Sequence, residues 1–122
     1  MNQIMHLIKH KPEDFLVISG DDGITLPLLA VGIDGLISVI GNAYPKLIAD
    51  MVHLALNENF HEARMIHHRM LDLIQACFRE GSPAGIKAIM ALQGKIEYYL
   101  RLPLTRVSPF LQNQLRELME YI

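Results

Sequence analysis

Two acidic side chains follow a short apolar run near the start of the sequence, in the stretch FLVISGDDG at 15–23. Asp21 and Asp22 are framed by glycines, and Gly20 allows a ligand to approach the backbone closely. Such a pair of carboxylates forms a turn, the cap of the next helix or one wall of an active site. Spacing alone favours the helix cap. If the pair instead forms one wall of a site, the other residues of that site must lie elsewhere in the sequence.

A second apolar run, LISVI at 36–40, repeats this pattern and is followed by a Gly-Asn pair. In parallel α/β sheets, ligands bind at the carboxyl ends of the strands, where loops and helix N-termini converge. If 15–19 and 36–40 are neighbouring strands, their ends face one shared mouth. The sequence therefore predicts a candidate site around residues 19–22 and 39–42.

Histidines cluster between positions 61 and 68, as a metal site would require. The zinc-protease pattern needs two histidines four residues apart, but the position four residues after His61 is Met65. His61 and His68 could share a helical face, yet no third ligand is visible. We interpret this segment as a solvated helix face and predict no metal site.

Cys77, within an apolar stripe, is interpreted as a buried core thiol and not as a nucleophile.

The elements that must position the acidic pair are two short strands. Both apolar runs lack alternation, as expected for strands buried on both faces of a parallel sheet. The segment between them has helical character, carries Pro27 in its first turn and ends at Gly32. This order predicts a right-handed strand–helix–strand unit.

Helices account for most of the remaining sequence. Apolar residues recur every three or four positions after Asn59, which predicts a long amphipathic helix that Gly81 ends. Ser82–Pro83 and Ser108–Pro109 each combine an N-cap residue with a proline at the first helical position. Predicted helices therefore cover 2–9, 45–56, about 60–80, 83–92 and 109–122.

Composition limits the class of protein. The chain has 122 residues, a formal charge of −2, one cysteine and 51% hydrophobic residues. Every apolar run is shorter than the roughly 20 residues that span a bilayer, and no secretory leader is visible, so we expect a cytoplasmic protein. Basic residues form no stripe with aromatic ones, so nucleic acid is not an expected partner. Two strands leave open sheet edges, which predicts further strands before residue 14 or an obligate oligomer.

Six motifs occur along the whole chain in a fixed order: SGDD at 19–22, GLISV at 35–39, NAYPKLIADM at 42–51, NFHEAR at 59–64, EGSPAGIKA at 80–88 and RLPLTRVSP at 101–109. In this the sequence resembles the dihydrodipicolinate synthase family, which belongs with N-acetylneuraminate lyase among the pyruvate-dependent Schiff-base lyases. The family is a (β/α)₈ barrel with a C-terminal helical extension, and a whole barrel takes roughly 200–250 residues. The resemblance implies an α/β fold that is the C-terminal fragment of this TIM barrel. Residues 1–58 would hold strands seven and eight, and residues 59–122 about three helices.

The resemblance also implies an activity and a site. The family binds pyruvate as a Schiff base on a lysine of the sixth strand, and the enamine attacks aspartate semialdehyde, a step of diaminopimelate and lysine biosynthesis. Gly20 and Asp21 match the family's Gly-Asp at the end of strand seven, and Ile37 matches a pyruvate-contacting residue of strand eight. No cofactor is implied, and the usual assembly is a homotetramer.

The Schiff-base lysine is expected upstream of Met1. None of the lysines of this chain lies on a predicted strand, where the amine would reach the barrel mouth; they are Lys9, Lys11, Lys46, Lys87 and Lys95. We therefore expect the chain alone to be inactive.

Two alternatives stay open. Sister lyases share the barrel, namely N-acetylneuraminate lyase and aldolases for keto-deoxy sugar acids, although SGDD together with ISV favours the synthase. A hypothesis of a different class is a non-catalytic remnant that buries its strand edges against copies of itself, as an oligomerisation or binding module.

Overall fold

The computed structural model describes residues 1–122 as a succession of helices around one pair of strands. The elements are α1 Asn2–His10, β1 Ile18–Ser19, α2 Thr25–Ala30, β2 Gly35–Leu36, a 3-10 turn Ile40–Asn42, α3 Pro45–Leu56, α4 Phe60–Phe78, α5 Ala84–Leu92 and α6 Pro109–Met119. No helix has the length and apolar character that a bilayer crossing requires.

The two strands pair in parallel with α2 between them in the sequence, which confirms the predicted strand–helix–strand order. The right-handed crossover stays a prediction. Ile18 lies opposite Gly35, and Ser19 lies opposite Leu36. Both predicted strands are too long, because residues 15–17 precede β1 and residues 37–40 follow β2. The N–H groups of Val39 and Ile40 donate to the Asp22 carboxylate and not to a neighbouring strand, and the chain then enters the 3-10 turn.

Burial of the strands on both faces is not observed, so this prediction is wrong for the chain as it stands. Phe15 and Leu16, just before β1, are 60% and 64% exposed, and Ile37, just after β2, is 74% exposed. The sheet has two strands, and no other element of the chain covers these side chains. The apolar runs therefore create an exposed apolar surface.

Two hydrophobic clusters hold the helices together. The larger cluster includes Ile40 and Ile48 together with Leu73, Ile89 and Leu111 from the later helices. The smaller cluster joins α2 to α3 and α4, through residues that include Leu29, Met51 and Ala63. Because both clusters contain residues from before and after position 58, the packing is continuous across that position.

The two Ser-Pro pairs behave differently. Ser108 caps α6, since its Oγ accepts a hydrogen bond from the Leu111 N–H at 3.2 Å and Pro109 is the first helical residue. The cap predicted at Ser82 is wrong, because α5 begins at Ala84 and Pro83 occupies the N-cap position. Proline offers no side-chain acceptor there, so α5 is held by packing and not by a cap.

Candidate functional site

The carboxyl ends of the strands bring the predicted residues to one edge of the sheet. Gly20 directly follows β1, Ile37 directly follows β2, and the Ile37 N–H donates to the Ser19 carbonyl at 2.9 Å. Gly20, Asp21 and Ile37 are all exposed. The structure therefore places these three residues together on an accessible surface at the expected end of a parallel sheet.

Gly20 leaves open space at this edge. A Cβ added there would have no heavy atom within 4 Å, and its φ lies outside the left-handed region. Neither packing within the chain nor backbone conformation therefore requires glycine at this position. A ligand could approach the backbone here without meeting a side chain.

Asp21 closes its own turn. Its Oδ1 accepts a hydrogen bond from the Gly23 N–H at 2.9 Å, an arrangement in which an Asp side chain mimics a backbone turn. The Asp21 carbonyl accepts hydrogen bonds from the hydroxyl groups of Thr25 at 2.6 Å and Ser19 at 3.1 Å. The predicted helix cap is wrong, because α2 has Ile24 at its N-cap position and no side-chain cap.

Asp22 has a role that the sequence did not reveal. It is 1% exposed, and its Oδ2 accepts hydrogen bonds from the N–H groups of Val39 at 2.9 Å and Ile40 at 3.1 Å. Its Oδ1 accepts one from the Ser38 hydroxyl group, and Ser38 Oγ accepts one from the Gly41 N–H at 2.7 Å. We call these contacts the Asp22 clamp, and they fix the segment after β2 against the turn after β1.

None of the five lysines directly follows either strand. Lys11 pairs with Asp34, the residue before β2, at 3.0 Å, and Lys46 pairs with Asp50 at 2.6 Å. The amines of Lys87 and Lys95 donate to backbone carbonyls at 2.7 Å each, and Lys9 lies on α1. Four of the amines are thus engaged in contacts within the chain.

The remaining sequence candidates lie away from this edge. Cys77 is 1% exposed, and burial, followed by the nearby Asp22 carboxylate, raises the pKa of its thiol to about 12. The core-thiol interpretation is confirmed. His61 and His68 are exposed as predicted, but the solvated-face interpretation is wrong for His67, which is 6% exposed because it points into the packed side of α4.

Comparison with known proteins gives a consistent result. The sequence matches the Dihydrodipicolinate synthetase family over residues 1–122. The 4-hydroxy-tetrahydrodipicolinate synthase of Phocaeicola vulgatus is 49% identical over 112 residues, which are 90% of this chain and 38% of the relative. That of Parabacteroides distasonis is 44% identical over 122 residues, which are 100% of this chain and 41% of the relative.

The fold is similar to that of solved structures from the same group. The crystal structure of dihydrodipicolinate synthase from Aquifex aeolicus has a TM-score of 0.94 and 39% identity, covering 98% of this chain and 41% of that one. The chain thus spans about two fifths of the length of the relatives it matches. Because the match includes every residue and the folds agree closely, the chain belongs to the Dihydrodipicolinate synthetase family.

Proposed function

We propose that this chain forms the C-terminal part of a 4-hydroxy-tetrahydrodipicolinate synthase. In this proposal the complete enzyme is a lyase that condenses pyruvate, held as a lysine Schiff base, with aspartate semialdehyde. The observation that carries the proposal is the 44% identity to the Parabacteroides distasonis synthase over all 122 residues. The chain would supply about two fifths of the enzyme, in line with the 41% of the relative that it covers.

In the same proposal, β1 and β2 are strands seven and eight of a (β/α)₈ barrel. Residues 1–58 form the last part of the barrel and residues 59–122 its helical extension. The exposed apolar side chains of Phe15, Leu16 and Ile18 support this arrangement, because a two-stranded sheet leaves edges and faces that further strands would cover.

The proposed pocket wall consists of Gly20, Asp21 and Ile37. Gly20 offers backbone that a small keto acid can approach closely, and the exposed Ile37 side chain offers an apolar contact for the pyruvate carbon atoms. The Asp22 clamp and the Asp21 turn hold these residues in place. Their proposed role is therefore to shape the pocket.

The covalent step needs a lysine from the rest of the enzyme. Its amine adds to the ketone carbon of pyruvate and water leaves, and loss of a methyl proton then gives the enamine that attacks the aldehyde. The lysines of this chain do not follow the strands, and four of their amines are engaged elsewhere. We therefore assign none of them to this step.

A homotetramer is proposed from the family resemblance alone. One solved relative, 35% identical to this chain, is described as a monomeric variant. The association state is therefore measured separately, by light scattering on the isolated chain.

The proposal is tested with a chimera in which this chain replaces the aligned C-terminal 41% of the Parabacteroides distasonis enzyme. We expect borohydride to trap pyruvate on a lysine of the grafted N-terminal part, and the chimera to turn over aspartate semialdehyde. The 122-residue chain alone should gain no mass with pyruvate and borohydride.

Three outcomes would change the assignment. A chimera that is folded by circular dichroism but traps no pyruvate contradicts the proposed function. The chain is proposed to supply only the pocket wall. An adduct on one of its own lysines would contradict that restriction, because the chain would then supply the Schiff-base lysine as well. Trapping of pyruvate without turnover of aspartate semialdehyde, but with turnover of N-acetylmannosamine, moves the assignment to a sister lyase.

A further inference from the structure

Two histidines of α1 have the spacing of a helical metal site. His6 and His10 are four residues apart and therefore lie on one face of the helix. This is the spacing that HExxH metal sites use, and that His61 and Met65 fail to provide. The ring centroids of His6 and His10 lie 4.2 Å apart, and both residues are exposed.

A hydrogen bond fixes the tautomer of His10. Its Nδ1 lies 2.8 Å from the backbone carbonyl oxygen of His6. Because a carbonyl oxygen can only accept, Nδ1 carries the hydrogen, and the lone pair of the neutral ring lies on Nε2. Metal-binding histidines are oriented in the same way, with the other ring N–H donated to a carbonyl or carboxylate. His10 is therefore prepared to act as a ligand through Nε2.

The surroundings leave room for a cation. A cavity of about 440 Å³ borders both histidines and Lys11. The Lys11 ammonium is paired with Asp34 at 3.0 Å and donates to the Phe15 carbonyl at 2.8 Å, so its charge is balanced. The core contacts of α1 come from Ile4 and Ile8, and a bound ion would leave them in place.

We propose that His6 and His10 bind a divalent late transition-metal ion, such as Ni²⁺ or Cu²⁺, with water in the remaining positions. Imidazole nitrogen suits these ions, whereas oxygen ligands are needed for Mg²⁺ and Ca²⁺. No third His, Cys, Asp or Glu completes a cluster, so the site keeps open positions. Leu7 stands where an HExxH site has its glutamate base, so the site binds metal without hydrolase chemistry. This proposal concerns the 122-residue chain, because Phe15 borders the same cavity and further strands would cover that side in the complete enzyme. It does not require the proposed synthase activity.

The test is a calorimetric titration of the 122-residue chain with Ni²⁺ at neutral pH. We expect one site, with tighter binding of Ni²⁺ than of Co²⁺ in the usual order for divalent metals. His6→Ala and His10→Ala should each weaken the affinity for Ni²⁺ about ten-fold or more, since loss of even an indirect partner of a metal ligand costs that much. His61→Ala and His68→Ala, at exposed positions of α4, are the matched controls and should leave the affinity within about two-fold.

Several results would overturn the proposal. They are absence of Ni²⁺ binding by the unmodified chain, unchanged affinity in His6→Ala and His10→Ala, and an equal loss in either control variant. Thermal melting followed by circular dichroism shows whether each variant is folded. A variant that melts early is replaced by His6→Gln or His10→Gln, which keep a polar side chain of comparable size.

Discussion

The carboxylate of Asp22 accepts a hydrogen bond from the Ser38 hydroxyl group and so joins the turn after the first strand to the segment after the second. The same carboxylate receives the N–H groups of Val39 and Ile40. These two backbone N–H groups would otherwise need acceptors on a neighbouring strand, and the buried Asp22 side chain provides the acceptors instead.

Asp22→Asn should destabilise the chain. One carboxylate oxygen becomes an NH₂ group, so either the N–H groups of Val39 and Ile40 or the hydroxyl group of Ser38 lose their acceptor. We expect the free energy of unfolding to fall by about 1–3 kcal/mol, measured by urea denaturation. In the control Asp21→Asn, one exposed hydrogen bond to Gly23 is at risk, and the loss should stay below about 1 kcal/mol. Equal losses in the two variants would contradict the role assigned to the Asp22 clamp.

Gly20→Ala should separate stability from function. The added methyl group meets no heavy atom within 4 Å in this chain, so the free energy of unfolding should change by less than about 0.5 kcal/mol. In the chimera, the same methyl group would occupy space through which pyruvate approaches the backbone. We expect the KM for pyruvate to rise about ten-fold, equivalent to about 1.4 kcal/mol. An unchanged KM in a folded, active chimera would remove Gly20 from the pocket wall.

The helices were predictable because their signals are local. Apolar spacing in α4 and the Ser108–Pro109 cap are read within one or two helical turns. The end of the second strand was not predictable. Beyond it the Val39 N–H donates to Asp22, and that acceptor lies 17 residues away in the sequence. The solvent exposure of Phe15 was also not predicted. An apolar run indicates that burial is favourable, but it does not show which element would cover the side chains.

That the candidate residues lie at one edge of the sheet was predictable, but their hydrogen bonds were not. Gly20, Asp21 and Ile37 meet at one edge because parallel strands present their carboxyl ends together. The sequence could not show which of the two aspartates is buried. Adjacent aspartates have the same local pattern, yet one closes a turn on the surface and the other is buried in the clamp.

Gly85→Ala should be strongly destabilising. A Cβ at Gly85 would lie 1.9 Å from the carbonyl oxygen and 2.7 Å from the carbonyl carbon of Cys77, on the facing helix α4. Both atoms belong to the backbone, so no side-chain rotation relieves the contact and the two helices must separate. We expect a loss of about 3 kcal/mol or more, measured as a large drop in Tm. Gly20→Ala is the matched control, and a similar small change in both would contradict the close packing of α5 on α4.

His67 should make the stability of the chain depend on pH in the weakly acidic range. Its side chain is 6% exposed, and its buried Nδ1 has no hydrogen-bond partner. Burial, followed by the nearby His68, lowers the pKa of His67 from its ordinary value of 6.5. The folded chain therefore keeps His67 neutral while the unfolded chain takes up a proton near that value. The unfolded state then binds more protons as the pH falls, so the free energy of unfolding decreases by up to about 1.4 kcal/mol per pH unit.

Urea unfolding between about pH 7 and pH 5 measures this effect, because His is the side chain that ordinarily titrates in that range. His67→Leu should flatten the slope, whereas the exposed control His68→Gln should retain most of it. Asp34 and Glu80 do not interfere, because N–H and hydroxyl donors lower their pKa values from 3.8 and 4.5. Their stabilisation is complete above those values and is lost only as the pH falls below them. An identical slope in His67→Leu and the unmodified chain would show that His67 is protonated to the same extent in the folded and unfolded states.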